Sequence, residues 1–196
     1  MTSIAARLRH YAEEPAALAA LRSRIQRPYR VARFHSYGKG SLIHKPMWIY
    51  GAHHITVGDY VLIMPGAWLA AERASWDQPA PALTIGDGTA IRSNCVISAT
   101  HSVTIEENVL VAGSCTIIDS DHTVGGGRNP LHNPTVSDPV RIGAGTWLSE
   151  RVTVLRGSDI GRECIIGAHS VVRGEIPDHS IAVGAPARVV GSTRDA

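Results

Sequence analysis

The sequence is poor in the bulky groups that fill most cores. It has one Phe among 196 residues, and aromatics make up 5%. With 19 Gly in the same chain, the core has to be built from small aliphatics joined by many tight turns. Cysteine is scarce too. Three residues, an odd number, with no Cys-x-x-Cys, argue against a disulfide framework or a structural zinc site. Neither sign of charge dominates: the formal net charge is +2, too small to mark a nucleic-acid or membrane-surface partner. No apolar run approaches the roughly 20 residues of a membrane span. The N-terminus lacks the apolar centre of a signal peptide, so the expected location is the cytoplasm, without membrane insertion. Hydrophobic content of 44% and charged content of 18% are ordinary for a globular chain, and the length suits one domain with a core.

What is present is a short period. From Ile43 onward an aliphatic residue recurs every six positions, with interruptions: Ile43, Ile49, Val57, Ile63 and Leu69; then Ile85, Ile91, Ile97, Ile105, Val111 and Ile117; then Ile142, Leu148, Val154, Ile160, Ile166 and Val172. Neither the 3.6 of a helix nor the alternation of an open sheet fits this spacing. Short repeats of this kind signal a solenoid. The position four after each aliphatic is usually small, as at Ala67, Thr89, Cys95, Cys115, Thr146, Ser158, Cys164 and Ser170. All three cysteines fall there, which reads them as small buried hydrophobes. Six residues cannot bury an apolar face alone, so they must stack. A short strand and a turn, three per coil, make a triangular prism about 25–30 Å long at ~4.8 Å per stacked strand. The expected class is therefore an all-β solenoid over residues 43–175. Its ends are protected by a helical lead-in at 1–42 and a tail at 176–196.

In the lead-in, residues 2–26 read as helical from the spacing of Ile4, Leu8, Tyr11, Leu18, Leu21 and Ile25. Pro15 is placed to start a second helix, with Glu13 and Glu14 near its positive end, and Pro28 is expected to end the segment. Such a helix either caps the core or forms a wall of an acceptor site. Two insertions break the repeat, at 73–83 and 123–139. The second contains Gly125, Gly126 and Gly127 with Pro130, Pro134 and Pro139. Loops of this length inside a repeat are expected to be functional or disordered.

Immediately before the longer loop stands Ile117-Ile118-Asp119-Ser120-Asp121-His122. His122, with an unperturbed pKa near 6.5, suits a general base acting on a hydroxyl, and it sits where a regular scaffold opens to solvent. Ile117 lies one coil beyond Ile97 on the same side, which places Asp121 over His101. Both break the small-residue rule beside the proposed base, as residues at functional sites often do. Either this pair supports His122, or Asp119 or Asp121 orients its ring, or the contact is only a corner hydrogen bond. Histidines 35, 44, 53 and 54 lack metal-ligand spacing, so no metal is expected.

Further motifs carry a family resemblance over roughly residues 43–191. They are His122 before its loop; Pro139-Val140-Arg141-Ile142-Gly143 leading to Trp147; Ile166-Gly167-Ala168-His169-Ser170; and Val183-Gly184-Ala185-Pro186-Ala187-Arg188 after Ile176-Pro177-Asp178. In these the chain resembles the hexapeptide-repeat acyltransferases, nearest to the maltose, galactoside and capsule O-acetyltransferases. The resemblance implies a left-handed parallel β-helix and a homotrimer with active sites between neighbouring prisms. It also implies acetyl-CoA as donor and a sugar or glycoconjugate hydroxyl as acceptor. Trp147, Ser149, Gly167, Ala168, Arg173, Pro186 and Arg188 become donor-site candidates, and the Ser149–Glu150 segment the oxyanion site. The acidic residue such transferases carry on the preceding coil is replaced by Thr100 and His101. Their acceptor-binding Asn falls at Arg92, with Asn94 nearby. γ-Class carbonic anhydrases share the fold, but no two histidines here have the five-residue separation they use. Transfer to an amine of an amino sugar, and a non-catalytic scaffold, are the alternative readings.

Overall fold

In the computed structural model, residues 15–72, 82–125, 129 and 132–195 are described. The chain winds into a left-handed parallel β-helix of triangular section. Among the described residues its first, second and third faces hold seven, eight and six strands. Equivalent strands of successive coils pair in parallel and in register, as Ile97 with Ile117 and Ile117 with Val154 show. Every aliphatic of the period points inward, and Ile63, Leu69, Ile91, Ile105, Ile142 and Leu148 are wholly buried. The small positions are buried as well, and they also tie coils together. Thr146 Oγ1 donates to the Gly161 carbonyl at 2.8 Å and accepts from the Cys164 N–H at 3.0 Å. The cysteines act in the same way: Cys95 Sγ lies 3.1 Å from the Ala112 carbonyl and Cys115 Sγ 3.1 Å from that of Ser149. They are thus more than small hydrophobes, because a thiol at the corner serves the next coil as a hydroxyl does. All three are free, and burial pushes the Cys164 thiol above its ordinary pKa.

Strand pairing extends past both expected prism boundaries. Ser36–Tyr37 pairs with the strand Ile55–Val57, and Glu175–Ile176 pairs with Asp159–Ile160. At the far end Ser180–Gly184 joins the second face and folds back antiparallel against Ala187–Ser192, which covers that edge. At the near end helix α1, Pro15–Arg33, lies against the first coil. The expected helix over 2–14 falls outside the described residues. Pro28 does not end the helix, which runs five residues past it to Arg33. Tertiary contacts outweigh the lost backbone hydrogen bond. The buried Arg30 donates to the Ile43 carbonyl at 2.6 Å, and Phe34 meets Tyr37 edge-on at 5.4 Å.

Residues 73–81 of the first insertion lie outside the described residues; the strand Leu83–Ile85 already belongs to the prism. The second excursion starts earlier than position 123. The chain leaves the third face after Ile118, forms the strand Ser120–His122, and returns as Thr135–Ser137 antiparallel to it. It re-enters the first face at Val140–Ile142.

Candidate functional site

The edge between the third and first faces carries residues 100–102, the hairpin and residues 155–158 on successive coils. Asp119 holds this edge. Its side chain is fully buried, and its carboxylate accepts from the N–H groups of Thr100 at 2.8 Å, His101 at 2.7 Å and Ser102 at 2.7 Å. A carboxylate taking three amides is a strong, charge-assisted anchor. Asp119, rather than Asp121, therefore meets residue 101. The regular register ends at Ile118, and the chain turns outward one residue later. Asp121 points to Arg156, whose Nε donates to Asp121 Oδ2 at 2.7 Å. Both acids proposed to orient the His122 ring are thus engaged elsewhere. His101 is exposed at the same edge.

His122 is exposed and pairs through its backbone with Thr135. It opens onto a cleft of about 620 Å³ lined by Trp48, Tyr50, Trp68, Glu72, Thr100, Ser120, His122 and Thr135. The cleft runs over the outer side of the third face, where alternation turns Trp48 and Tyr50 outward on either side of Ile49. Trp48 and Trp68 stand in register one coil apart, ring centroids 6.2 Å apart and tilted by 32°, and are 53% and 38% exposed. Glu72 supplies a carboxylate, and Thr100 Oγ1 donates to Ser120 Oγ at 3.2 Å. This combination offers flat apolar rings, hydroxyls, one anion and one imidazole. It suits a small polar molecule with an apolar face better than a purely apolar ligand. None of Trp48, Tyr50, Trp68 or Glu72 stands out in the sequence. The one available signal was two tryptophans at the same outward position of successive coils.

The remaining candidates are spread over the prism. Arg92 and Asn94 sit at the opposite edge of the third face and do not line this cleft. Asn94 takes a left-handed turn conformation, φ 61°. Trp147 is exposed on the outer side of the second face, with Leu148 inward and Ser149 at the following edge. The Ser149 N–H donates to the Ile166 carbonyl at 2.9 Å, so only the Glu150 amide of that segment is left to serve an oxyanion. A Cβ on Gly167 would come within 2.6 Å of Val183 Cγ1. A side chain here would therefore have to displace the exposed Val183 methyl, so the small size of this residue is accounted for in part by packing against the strand Ser180–Gly184, whether or not a ligand approaches. Ala168, Arg173, Pro186 and Arg188 are exposed. Arg173 follows Val172, which pairs with Val154, and so stands on the hairpin's edge one coil beyond Arg156. Among the described residues no group of three His, Cys, Asp or Glu is placed to hold a metal ion. No helix among them is long and apolar enough to cross a membrane.

Residues 139–174 match the family described as bacterial transferase hexapeptide, six repeats. A Mycobacterium tuberculosis protein named a probable acetyltransferase is 37% identical over 172 residues, covering 87% of this chain and 54% of that protein. An Escherichia coli protein named for lipopolysaccharide biosynthesis O-acetyl transfer is 35% identical over 112 residues, 53% of this chain and 57% of its own length. The chain spans about half the length of the curated relatives it matches. Among solved structures, a galactoside acetyltransferase in complex with coenzyme A superposes with a TM-score of 0.55 at 29% identity. That match covers 64% of this chain and 66% of that one.

Proposed function

We propose that this chain, a hexapeptide-repeat solenoid similar to proteins named acetyltransferases, moves an acetyl group from acetyl-CoA to a hydroxyl of a sugar or glycoconjugate precursor. The observation that carries this reading is His122 at the mouth of the cleft walled by Trp48 and Trp68. A pyranose has an apolar C–H face that lies well on indole and a rim of hydroxyls that suits Glu72, Thr100 and Ser120.

His122 takes the proton of the acceptor hydroxyl as its oxygen attacks the thioester carbonyl. The tetrahedral intermediate collapses, the C–S bond breaks, and the proton passes from the imidazolium to the departing thiolate. No covalent enzyme intermediate is required. Trp147, Ala168, Arg173, Pro186 and Arg188 are the groups we assign to the donor, the two arginines to its phosphates, and the Glu150 amide to the oxyanion.

The donor groups centred on Trp147 and the base lie on different faces of one prism, which supports a trimer with sites between copies. The outer side of the second face supports it further. In register along that face stand Leu42, Leu62, Ala90, Leu110, Trp147, Ile165 and Ile181. The first face presents Thr56, Thr84, Thr104, Arg141, Asp159 and Glu175. An apolar ladder from end to end is the side another copy would cover.

The test is release of free thiol from acetyl-CoA with a panel of sugars, amino sugars and serine. His122→Ala should lower kcat by about 10²- to 10⁴-fold with the fold intact, and Trp68→Ala should raise the acceptor KM while leaving that of acetyl-CoA alone. Undiminished turnover by His122→Ala would remove the base. Failure to bind coenzyme A at all would favour a scaffold.

A further inference from the structure

Arg156 occupies neither the inward aliphatic position nor the small position of the repeat. It lies two residues after Val154, which pairs with Ile117, so it stands directly over the point where the chain leaves the prism. From there its guanidinium reaches both strands of the hairpin. Nε donates to Asp121 Oδ2 at 2.7 Å, and NH1 donates to the Asp138 carboxylate. Asp121 immediately precedes His122 on the outgoing strand, and Asp138 immediately follows Ser137 on the returning one. The Arg156 side chain is 24% exposed, less than half the exposure of Asp138 at 53%.

Elsewhere the hairpin is held by Thr100 Oγ1, which donates to Ser120 Oγ at 3.2 Å. At its far end Thr123 Oγ1 donates to the Pro134 carbonyl at 2.7 Å, and Asn133 Nδ2 to the Thr123 carbonyl at 2.8 Å. These are neutral bonds, and among the described residues Arg156 alone brings a positive charge to its foot. Three residue pairs join its strands, Ser120 with Ser137, Asp121 with Val136 and His122 with Thr135. At its foot the Asp138 N–H donates to the Asp119 carbonyl at 3.0 Å, and the Gly157 N–H to the Asp138 carbonyl at 3.3 Å. A two-stranded ribbon of this length is marginal alone. Without the guanidinium it would also hold two like charges close together at its foot. Arginine suits the position because one planar fork serves two carboxylates at once, which an ammonium on a flexible stem does less well.

We propose that Arg156 is a positioning residue for His122: by clamping Asp121 and Asp138 it fixes the hairpin foot and so holds the imidazole at the mouth of the aromatic cleft. This rests on the reading of His122 as the base. Arg156 touches neither acceptor nor donor and acts through the backbone on which His122 is carried.

The test compares Arg156→Gln, Arg156→Lys and His122→Ala in the full chain, with turnover measured beside amide hydrogen exchange. In Arg156→Gln, kcat should fall by about 10- to 100-fold, the scale of a misplaced catalytic group, with the KM for acetyl-CoA unchanged. Exchange should quicken at Ser120–His122 and Thr135–Ser137 and stay slow in the prism. Arg156→Lys should recover part of both losses. Wild-type kcat in Arg156→Gln overturns the proposal, as does a loss of kcat with hairpin exchange unaltered. If Arg156→Gln is slowed while His122→Ala is not, the base reading falls and the positioning role with it. If His122→Ala is inactive and Arg156→Gln is normal, only the positioning role falls.

Discussion

At the residue scale, the side chains that were legible are those whose place is set by their distance along the chain. Ile117, Cys115 and Trp147 follow from counting sixes. Asp119 and Asp121 were recognised as acids near His122, but their partners were not. One is bound to amides 17 to 19 residues earlier and the other to an arginine 35 residues later. Asp119 is the more consequential for stability, because its loss leaves three N–H groups of a sharp turn without an acceptor. Asp119→Asn keeps the shape but removes the charge and one acceptor oxygen. It should lower unfolding free energy by about 2 kcal/mol, within the range for charge-assisted hydrogen bonds, as measured by urea denaturation. Exchange at the amides of Thr100, His101 and Ser102 should quicken with it; unchanged stability would mean that solvent replaces the carboxylate at no cost.

At the scale of elements, the coil strands are two to five residues long, yet they are reliable because each is repeated and stacked in register. The hairpin is different. Its strands carry no aliphatic alternation: Ser120-Asp121-His122 and Thr135-Val136-Ser137 would not be read as strands in isolation. They pair because Asp119 and Asp138 bring their feet together beneath Arg156. For the same reason α1 runs through Pro28, since Arg30 and Phe34 anchor its last turns on the first coil. Replacing residues 123–134 by a two-residue Asn-Gly turn retains the Arg156 clamp and the pairing of His122 with Thr135. That variant should keep its far-ultraviolet circular dichroism and bind coenzyme A within about twofold of wild type, while its acceptor KM rises roughly tenfold, because loops on a rigid scaffold set specificity. An unchanged acceptor preference would move specificity onto the aromatic wall of the cleft.

At the scale of the whole molecule, the three faces differ in what they present outward. The first is polar, the second is apolar along its length, and the third carries the tryptophan pair next to the hairpin. Leu110 stands in the middle of the apolar ladder and is 41% exposed. Leu110→Glu puts a charge where a second copy would have to desolvate it. On the proposed assembly, the wild type should sediment as a trimer and Leu110→Glu as a monomer. Turnover should fall with the loss of assembly, because the proposed base and the proposed donor groups of the second face are offered by different edges of the prism. A wild-type monomer with full activity would remove the inter-subunit site. The sequence by itself determined the solenoid, its register as far as Ile118 and its buried small positions, because a period of six is a local property repeated down the chain. Only the tertiary structure decided what surrounds His122. Trp48, Trp68 and Glu72 come from coils 50 or more residues earlier and Arg156 from the coil after, and stacking alone brings them to one edge. The stretch Ile117–His122 is therefore two things at once: the end of a repeat readable from sequence, and the foot of a hairpin whose acids answer to partners that only the fold brings near.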